Sequence, residues 1–295
     1  MDAQGGAAER EICVILNPSQ RIQRALGEAP QFAIPGRRQA GEIQWDMDHP
    51  SLGGCIALFT PGTQQGSGQI YDAITGIRLD RVNSAFTPAP MQDRRFGRVF
   101  ECPSNGSGND GWEDIGRISQ KIHGLAALSI ISIIRFSALD VSNNGAEKSA
   151  FRCAFAANKG VSLSYLTKLQ KLRFLLDTTG TTGWTAANDV SFAMSASTYY
   201  VMGFSFDGST QRFYAGELGG KISQVGSATV TGTVAITSAS SAPSVVQGMD
   251  YSSFSYTGGI EGVVADVRIF NRAITAGDVN EYSRNTYAAA SFGGG

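Results

Sequence analysis

A short apolar alternation near the C-terminus constrains the fold of this chain more than any other feature. Every second residue from 263 to 269 is apolar, and the positions between them include two charged side chains, Asp266 and Arg268. A period of two predicts a β-strand with one apolar face. Asn271 and Arg272 end the strand. Thr275 with Asp278 three residues later predicts a capped helix start.

The same alternation recurs along the chain from residue 45 onward. Roughly a dozen short alternating runs lie about 8–12 residues apart, separated by turn residues. One run places Met202, Phe204 and Phe206 on one face and ends at Asp207-Gly208, a dipeptide typical of hairpin turns. The run 128–136 is apolar on both faces, as expected of a strand in the middle of a sandwich sheet. This organisation predicts an all-β jelly-roll or sandwich at residues 45–295.

Composition agrees with an all-β chain and excludes several partners. Of 295 residues, 42% are hydrophobic, only 17% are charged and 36 are glycine, and the net charge of −1 leaves no electrostatic footprint for nucleic acid. The longest apolar run, 125–136, is too short to span a membrane. Because no apolar signal segment opens the chain, we expect folding in a reducing cytoplasm. Four free thiols are then expected, with two disulfides as the alternative: Cys13, Cys55, Cys102 and Cys153.

Residues 1–44 differ from the rest of the chain and are predicted to form an extended N-terminal arm. The segment is broken by proline and is too short to bury its own apolar side chains. We therefore expect it to bind another subunit. The side chains assigned to this contact are apolar or basic: Ile12, Val14, Leu16, Ile22, Leu26, Phe32, Ile34, Arg37 and Arg38.

Two motifs are similar to ligand sites but lack the residues that those sites need. Residues 106–111 match the G-x-G-x-x-G pattern, yet Gly116 is predicted to break the helix that would receive a phosphate. Residues 140–145 are similar to a calcium loop, but its twelfth position is Phe151 instead of a bidentate carboxylate. No cofactor and no metal site are therefore expected, with a calcium ion bound at the 140–145 turn as the alternative.

Two tryptophans fall in polar loops that suit sugar recognition. An aromatic ring can stack on the CH face of a sugar, while neighbouring amides and carboxylates bind its hydroxyls. The alternative is that each ring covers an end of the sandwich. The candidate carbohydrate-binding residues are Asn109, Asp110, Trp112, Trp184, Asn188 and Asp189.

The C-terminal segment resembles the closing strand of laminin-G-like, concanavalin-A-like domains, which reads roughly G-x-I-x-x-V-x-I-[YF]-N-R-A-[LI]-[ST]. Residues 199–216 are similar to the family's W-Y-H-V-A-x-T-x-D-G-S … L-Y-V-D-G hairpin, with Tyr199 where Trp is usual. Residues 49–59 are similar to its opening strand. The resemblance covers most of residues 45–292 and implies a concanavalin-A-like sandwich used mainly for binding.

Glycosidases on this fold carry two or three carboxylates alternately on one strand, in strings such as E-x-D-x-E. No such string occurs here. Neither His49 nor His123 lies in a setting that suggests a Ser-His-Asp triad. We therefore predict that the protein is not an enzyme and has no catalytic residues.

The resemblance implies a role in a bacteriophage particle, because phage structural proteins commonly carry such domains. The expected function is a virion component, either a capsid decoration, a fibre or a tail-associated protein, located in the virion after folding in the host cytoplasm. Its expected partners are capsid or tail proteins that contact residues 1–44, further copies of this chain, and a host glycan. The alternatives are a free carbohydrate-binding module and a glycan-cleaving enzyme.

Overall fold

Two β-sheets packed face to face form the body of the protein, which confirms the predicted all-β sandwich. The computed structural model describes residues 53–60, 69–82, 89–93, 96–102, 111–139, 147–153, 160–179, 186–246 and 257–292. The arm at residues 1–44 and the 140–145 turn lie outside these ranges.

The first sheet has six antiparallel strands. In spatial order they are β1 (Cys55–Phe59), β17 (Gly262–Phe270), β7 (Leu128–Phe136), β12 (Tyr199–Phe206), β13 (Thr210–Glu217) and β14 (Ser223–Thr229). The closing strand β17 lies between the opening strand β1 and the apolar strand β7. The predicted central position of residues 128–136 is therefore confirmed.

The second sheet has nine strands. Eight follow in the order β11 (Ala186–Ser191), β10 (Lys171–Leu176), β9 (Val161–Leu166), β8 (Glu147–Cys153), β15 (Pro243–Val246), β6 (Trp112–Ile115), β3 (Arg78–Arg81) and β2 (Ile70–Tyr71). The ninth, β16 (Thr257–Gly259), pairs with β8 in parallel. A separate hairpin consists of β4 (Ala89–Asp93) and β5 (Gly97–Glu101). The described helices are α1 (Arg117–Ile122) and α2 (Ala276–Phe292).

Apolar side chains from both sheets interleave to form the core. Phe204 of β12 stacks on Phe174 of β10, and Phe213 of β13 meets both rings edge-on. These rings are buried. Fully burying such a side chain contributes about 1.5–3 kcal/mol, so this interface holds the two sheets together.

The outer face of the six-stranded sheet is covered as well. Helix α2 packs Val279 and Tyr282 on it. The predicted cap is confirmed, because Asp278 Oδ2 accepts from the Thr275 backbone N–H (2.7 Å) and Thr275 Oγ1 accepts from the Asp278 N–H (3.2 Å).

The two charged residues of β17 lie beneath α2. Asp266 and Arg268 form an ion pair of 3.1 Å with side chains only 10% and 5% exposed, and the Arg268 guanidinium lies 4.5 Å above the Tyr282 ring. A buried pair of this kind tolerates no loss of one partner, because the other charge would remain buried and uncompensated. The cluster therefore fixes where the helix docks.

No helix directly follows the 106–111 motif, as predicted, because Trp112–Ile115 is strand β6; Gly116 then caps the start of the later helix α1. It adopts φ +81°, where a side chain would clash with the Ser240 carbonyl oxygen. The turn redirects the chain from β6 into α1. There Asp114 Oδ2 accepts from the N–H groups of Arg117 (3.0 Å) and Ile118 (2.9 Å).

Candidate functional site

A row of polar side chains crosses the nine-stranded sheet on the face that points away from the core. Strand register places Ser149 of β8 opposite Ser164 of β9, Ser164 opposite Arg173 of β10, and Arg173 opposite Asp189 of β11. Directly opposite residues share a face. The row spans three inter-strand spacings of about 4.8 Å, or roughly 14 Å.

Neighbouring rows add further polar groups to this face. Arg152 lies opposite Ser162, and the Ser162 and Ser164 hydroxyls are hydrogen-bonded at 2.7 Å. Glu147, two positions before Ser149, reaches diagonally to Arg173. We call the seven side chains of this surface the polar face: Glu147, Ser149, Arg152, Ser162, Ser164, Arg173 and Asp189.

Arg173 connects the two carboxylates of the polar face. Its Nε and one terminal nitrogen donate to the two oxygens of Asp189 (2.8 and 2.9 Å), and its other terminal nitrogen donates to Glu147 Oε2 (3.0 Å). The hydrogen bonds with Asp189 raise the pKa of the guanidinium. Partial burial opposes this effect and the charge of Glu147 reinforces it. Arg173 is therefore a permanent cation that fixes both carboxylates in place.

Most of the polar face is buried, with Ser149, Ser162 and Ser164 fully enclosed, and only its Arg173–Asp189 end is partly exposed. The Arg173 and Asp189 side chains are 28% and 23% exposed, whereas that of Glu147 is 6% exposed. At the buried end, Glu147 Oε1 and Ser149 Oγ have no hydrogen-bond partner. Buried polar atoms in native proteins are nearly always paired, so these two enclosed atoms are exceptions that the protein's own groups leave unsatisfied.

Strand alternation explains why these residues collect on one face. On β9, Val161, Leu163 and Tyr165 face the core, so Ser162 and Ser164 between them face outward. On β8, a register shift between Ser149 and Phe151 keeps the next polar residue on the outer face. The prediction from the sequence rested on the apolar residues of these strands alone. The signal it missed was the polar residue between each apolar pair.

The six predicted sugar-binding residues have different outcomes in the structure. Asn109, Asp110 and Trp184 lie outside the described residues. The Trp112 prediction needs correction, because this residue belongs to the sandwich core, with only 3% of its surface exposed, and cannot stack on a sugar. The backbone of Asn188 pairs with Phe174, whereas Asp189 belongs to the polar face.

Other polar clusters have structural roles. His123 Nδ1 accepts from the Ile236 backbone N–H (3.0 Å), which holds a loop. Asp93 accepts from the Tyr199 hydroxyl (3.0 Å) and pairs with Arg135 (3.6 Å), which joins β4 to the six-stranded sheet. Among the described residues, no three His, Cys, Asp or Glu side chains converge as metal ligands.

Neither of the two described helices is long and apolar enough to cross a membrane.

Comparisons with known proteins identify the fold and no family. No protein-family model matches the sequence, and no curated protein matches it either. Among solved structures, a GH54 α-L-arabinofuranosidase soaked with a cyclic sulfate inhibitor matches with a TM-score of 0.51 and 11% identity over 76% of this chain. The binding domain of botulinum neurotoxin DC in complex with SialylT matches with a TM-score of 0.50 and 13% identity over 79% of this chain.

This chain spans about half of either matched protein, since 51% of each of those chains is covered. At such low identity the likeness establishes a shared β-sandwich architecture, of a kind found in glycan-binding and glycoside-hydrolase proteins.

The prediction that the chain is not an enzyme is wrong. It rested on the absence of a carboxylate string within one strand, yet the matched structures include a glycoside hydrolase. The one-strand criterion is too narrow, as two carboxylates of the polar face illustrate. Glu147 of β8 and Asp189 of β11 come together around Arg173 although they belong to different strands. A search for carboxylates within one strand cannot detect such an arrangement.

Proposed function

We propose that this protein is a glycan-binding β-sandwich and that the polar face is its binding site. The observation that carries the proposal is the straight row from Ser149 to Asp189 on one face of the sheet. Hydroxyl, guanidinium and carboxylate groups at regular spacing complement the hydroxyls of a saccharide. The solved structures with the same architecture, an arabinofuranosidase and a toxin domain in complex with SialylT, support a glycan as ligand.

Titration calorimetry of the full chain against a panel of oligosaccharides tests the proposal. Asp189→Ala should weaken binding by about tenfold, the loss expected for a hydrogen bond to a charged group. Asp80→Ala is the control, because this exposed Asp lies on β3 of the same sheet, outside the row. The proposal is wrong if no saccharide binds, or if both variants bind like the unsubstituted chain.

Glycan cleavage is the second candidate function. It is favoured by the two carboxylates held at one guanidinium, since glycosidases act with a pair of carboxyl groups. Incubating the chain with arabino- and xylo-oligosaccharides and analysing the products by mass spectrometry tests it. Turnover that disappears in both Glu147→Gln and Asp189→Asn would establish cleavage at this site, and turnover retained in both would exclude the site.

A role in a virion remains a proposal based on the sequence resemblance. In that setting, residues 1–44 would attach the chain to a capsid or tail protein while the sandwich displays the polar face. The glycan-binding proposal does not depend on it, because the polar face belongs to the sandwich.

A further inference from the structure

The strands at the edges of the two sheets differ in how far their outer side is blocked. A sheet edge exposes unpaired N–H and C=O groups to which a further strand can bind, and most proteins block such edges. On β1, the Leu58 N–H donates to Asp72 Oδ1 and the Leu58 carbonyl accepts from the Ala73 N–H, both at 2.8 Å. Strand β14 is interrupted by a register shift, and β2 has only two residues.

The remaining edge strand, β11, has none of these features. It pairs with β10 over all six residues without a register shift, and it contains no proline, glycine or lysine. The Phe192 N–H donates to the Gln170 carbonyl (2.9 Å), and hydrogen-bonded positions alternate along an antiparallel pair. The backbone groups of residues 187, 189 and 191 therefore point to the outer edge, where no described strand meets them.

The core is incompletely covered beside this edge. Val190, Phe192 and Val225 pack against the core but remain partly exposed. The two sheets touch here, since a Cβ atom on Gly226 of β14 would approach Val190 Cγ2 to 2.6 Å. A strand added to β11 would remove this apolar margin from water, and it would need apolar side chains on the face towards the core.

The arm contains a segment that meets this requirement. Residues 12–16 form an uninterrupted apolar run that ends at Asn17-Pro18, a pattern typical of a strand buried on both faces. Their length matches the five positions from 187 to 191. A second copy of β11 fits less well, because Val190 is its only large apolar residue. Alternate positions of the segment carry three side chains that the sequence analysis assigns to a partner: Ile12, Val14 and Leu16.

We infer that residues 12–16 of one copy of this chain add as a further strand to the free edge of β11 in a second copy. The backbone of the added strand bonds the outward groups of residues 187, 189 and 191, and its apolar face covers Val190 and Phe192. The second copy supplies the strand because residues 1–44 are predicted to bind another subunit. Since each copy has one arm and one free edge, mutual exchange closes a dimer. Glycan binding does not depend on this contact.

Disulfide trapping in the full chain tests the contact, because Cys13 lies within the proposed strand. Alternation puts Cys13 on the face opposite to Val14, away from the core. Ala187→Cys, Asp189→Cys and Ser191→Cys sample the three matching positions of β11 in any register. At least one of them should form a disulfide with Cys13 that links two chains, detected by a non-reducing gel and peptide mass spectrometry.

Gln120→Cys, at an exposed position of α1, is the control and should not link to Cys13. A Cys13 disulfide formed within a single chain would overturn the exchange between copies. If Cys13 links to none of the three β11 positions, the docking site is wrong.

Sedimentation at several concentrations gives the dissociation constant of the dimer. Val14→Asp puts a charge on the face towards the core, and Ala187→Pro removes an outward N–H that β10 does not use. Each should weaken the dimer at least about tenfold. Gln23→Asp adds the same charge elsewhere in the arm and should leave the dimer unchanged.

Thermal melts establish that each variant is folded, and Val14→Asp decides the question if Ala187→Pro does not fold. A full chain that sediments as a monomer at every concentration overturns the inference. A dimer that Val14→Asp leaves unchanged, or that Gln23→Asp weakens equally, overturns the role of residues 12–16.

Discussion

At the residue scale, Arg173 is the side chain on which the polar face depends most. It holds Asp189 at the exposed end and Glu147 at the buried end through three hydrogen bonds of 2.8–3.0 Å. Because Glu147 and Asp189 both pair with Arg173, this one guanidinium sets the geometry of both carboxylates. A single substitution of Arg173 would therefore disturb both carboxylates.

Arg173→Ala should lower the free energy of unfolding by about 2–4 kcal/mol, because it leaves the nearly buried Glu147 without its cation. Arg78→Ala is the matched control, since Arg78 pairs with Asp80 at 3.0 Å but both side chains are about half exposed. It should cost no more than about 0.5 kcal/mol. Urea unfolding of both variants measures the difference. Equal costs would show that the Arg173 network contributes little to stability.

The cysteines are a second residue-scale feature. Cys55, Cys102 and Cys153 are buried and belong to no disulfide, as predicted from the sequence, while Cys13 lies outside the described residues. Burial raises the pKa of the Cys55 thiol to about 12, opposed by the Arg268 charge. Burial also raises the pKa of Cys153 to about 12, opposed by its hydrogen bond with Ser244.

Iodoacetamide at pH 8 should therefore leave Cys55 and Cys153 unmodified in the folded protein and modify both in denaturant. The reason is that the thiolate is the reactive form and burial suppresses it. Peptide mass spectrometry assigns the label to each cysteine. Rapid modification of Cys153 in the folded chain would mean that the core opens more readily than its packing implies.

At the element scale, the β12–β13 hairpin shows how local chemistry fixes a turn. Asp207 Oδ1 accepts from the N–H groups of Ser209 (3.0 Å) and Thr210 (2.8 Å), and Arg212 donates to Oδ2 (2.7 Å). Gly208 follows at φ +88°, which glycine adopts without strain. The turn sets the register of the two strands that carry Phe204 and Phe213 into the core.

Stability should depend on pH through this turn. The hydrogen bond from Arg212, reinforced by those from Ser209 and Thr210 and opposed by slight desolvation, lowers the pKa of Asp207. A carboxyl whose pKa is lower in the folded state stabilises the protein above its unfolded pKa of about 3.9. That stabilisation is lost as the pH falls towards the folded value.

Asp207→Asn should accordingly be less stable than the unsubstituted chain by about 1 kcal/mol at pH 7, and the difference should shrink between pH 4 and pH 2. Thermal melts across this range measure it. A difference that stays constant with pH would show that the Asp207 charge is not involved.

At the scale of the whole molecule, the two sheets differ in what covers them. Helix α2 and the β4–β5 hairpin cover the outer face of the six-stranded sheet with apolar side chains. The outer face of the nine-stranded sheet carries the polar row instead. The proposed glycan site rests on this difference, although Ser149, Ser162 and Ser164 of the row are buried and only its Arg173–Asp189 end is partly exposed.

Deleting residues 1–44 tests the predicted arm. The truncated chain should remain folded, because the described core consists of residues from 55 onward, and it should lose assembly with its partner subunit. Analytical ultracentrifugation compares the two chains, with circular dichroism as the folding control. Unfolding of the truncated chain, or assembly identical to that of the full chain, would contradict the prediction.

The sequence alone determined the features that depend on neighbouring residues. The alternation from residue 263 to 269, the Asp207-Gly208 turn and the Thr275–Asp278 cap were predicted correctly, because strand period, turn geometry and helix capping are local properties. Whether the chain binds through its arm stays a prediction.

Only the tertiary structure decided which polar residues meet. Ser149 and Asp189 lie forty positions apart in the chain and share a row solely because four strands pair in one register. The shift beside Ser149 shows how much depends on that register, since a slip of one residue would turn the row into the core. Trp112 is a second residue whose position only the tertiary structure decided. Its polar neighbours suggested a loop, and strand pairing with β15 and β3 placed its ring in the core instead.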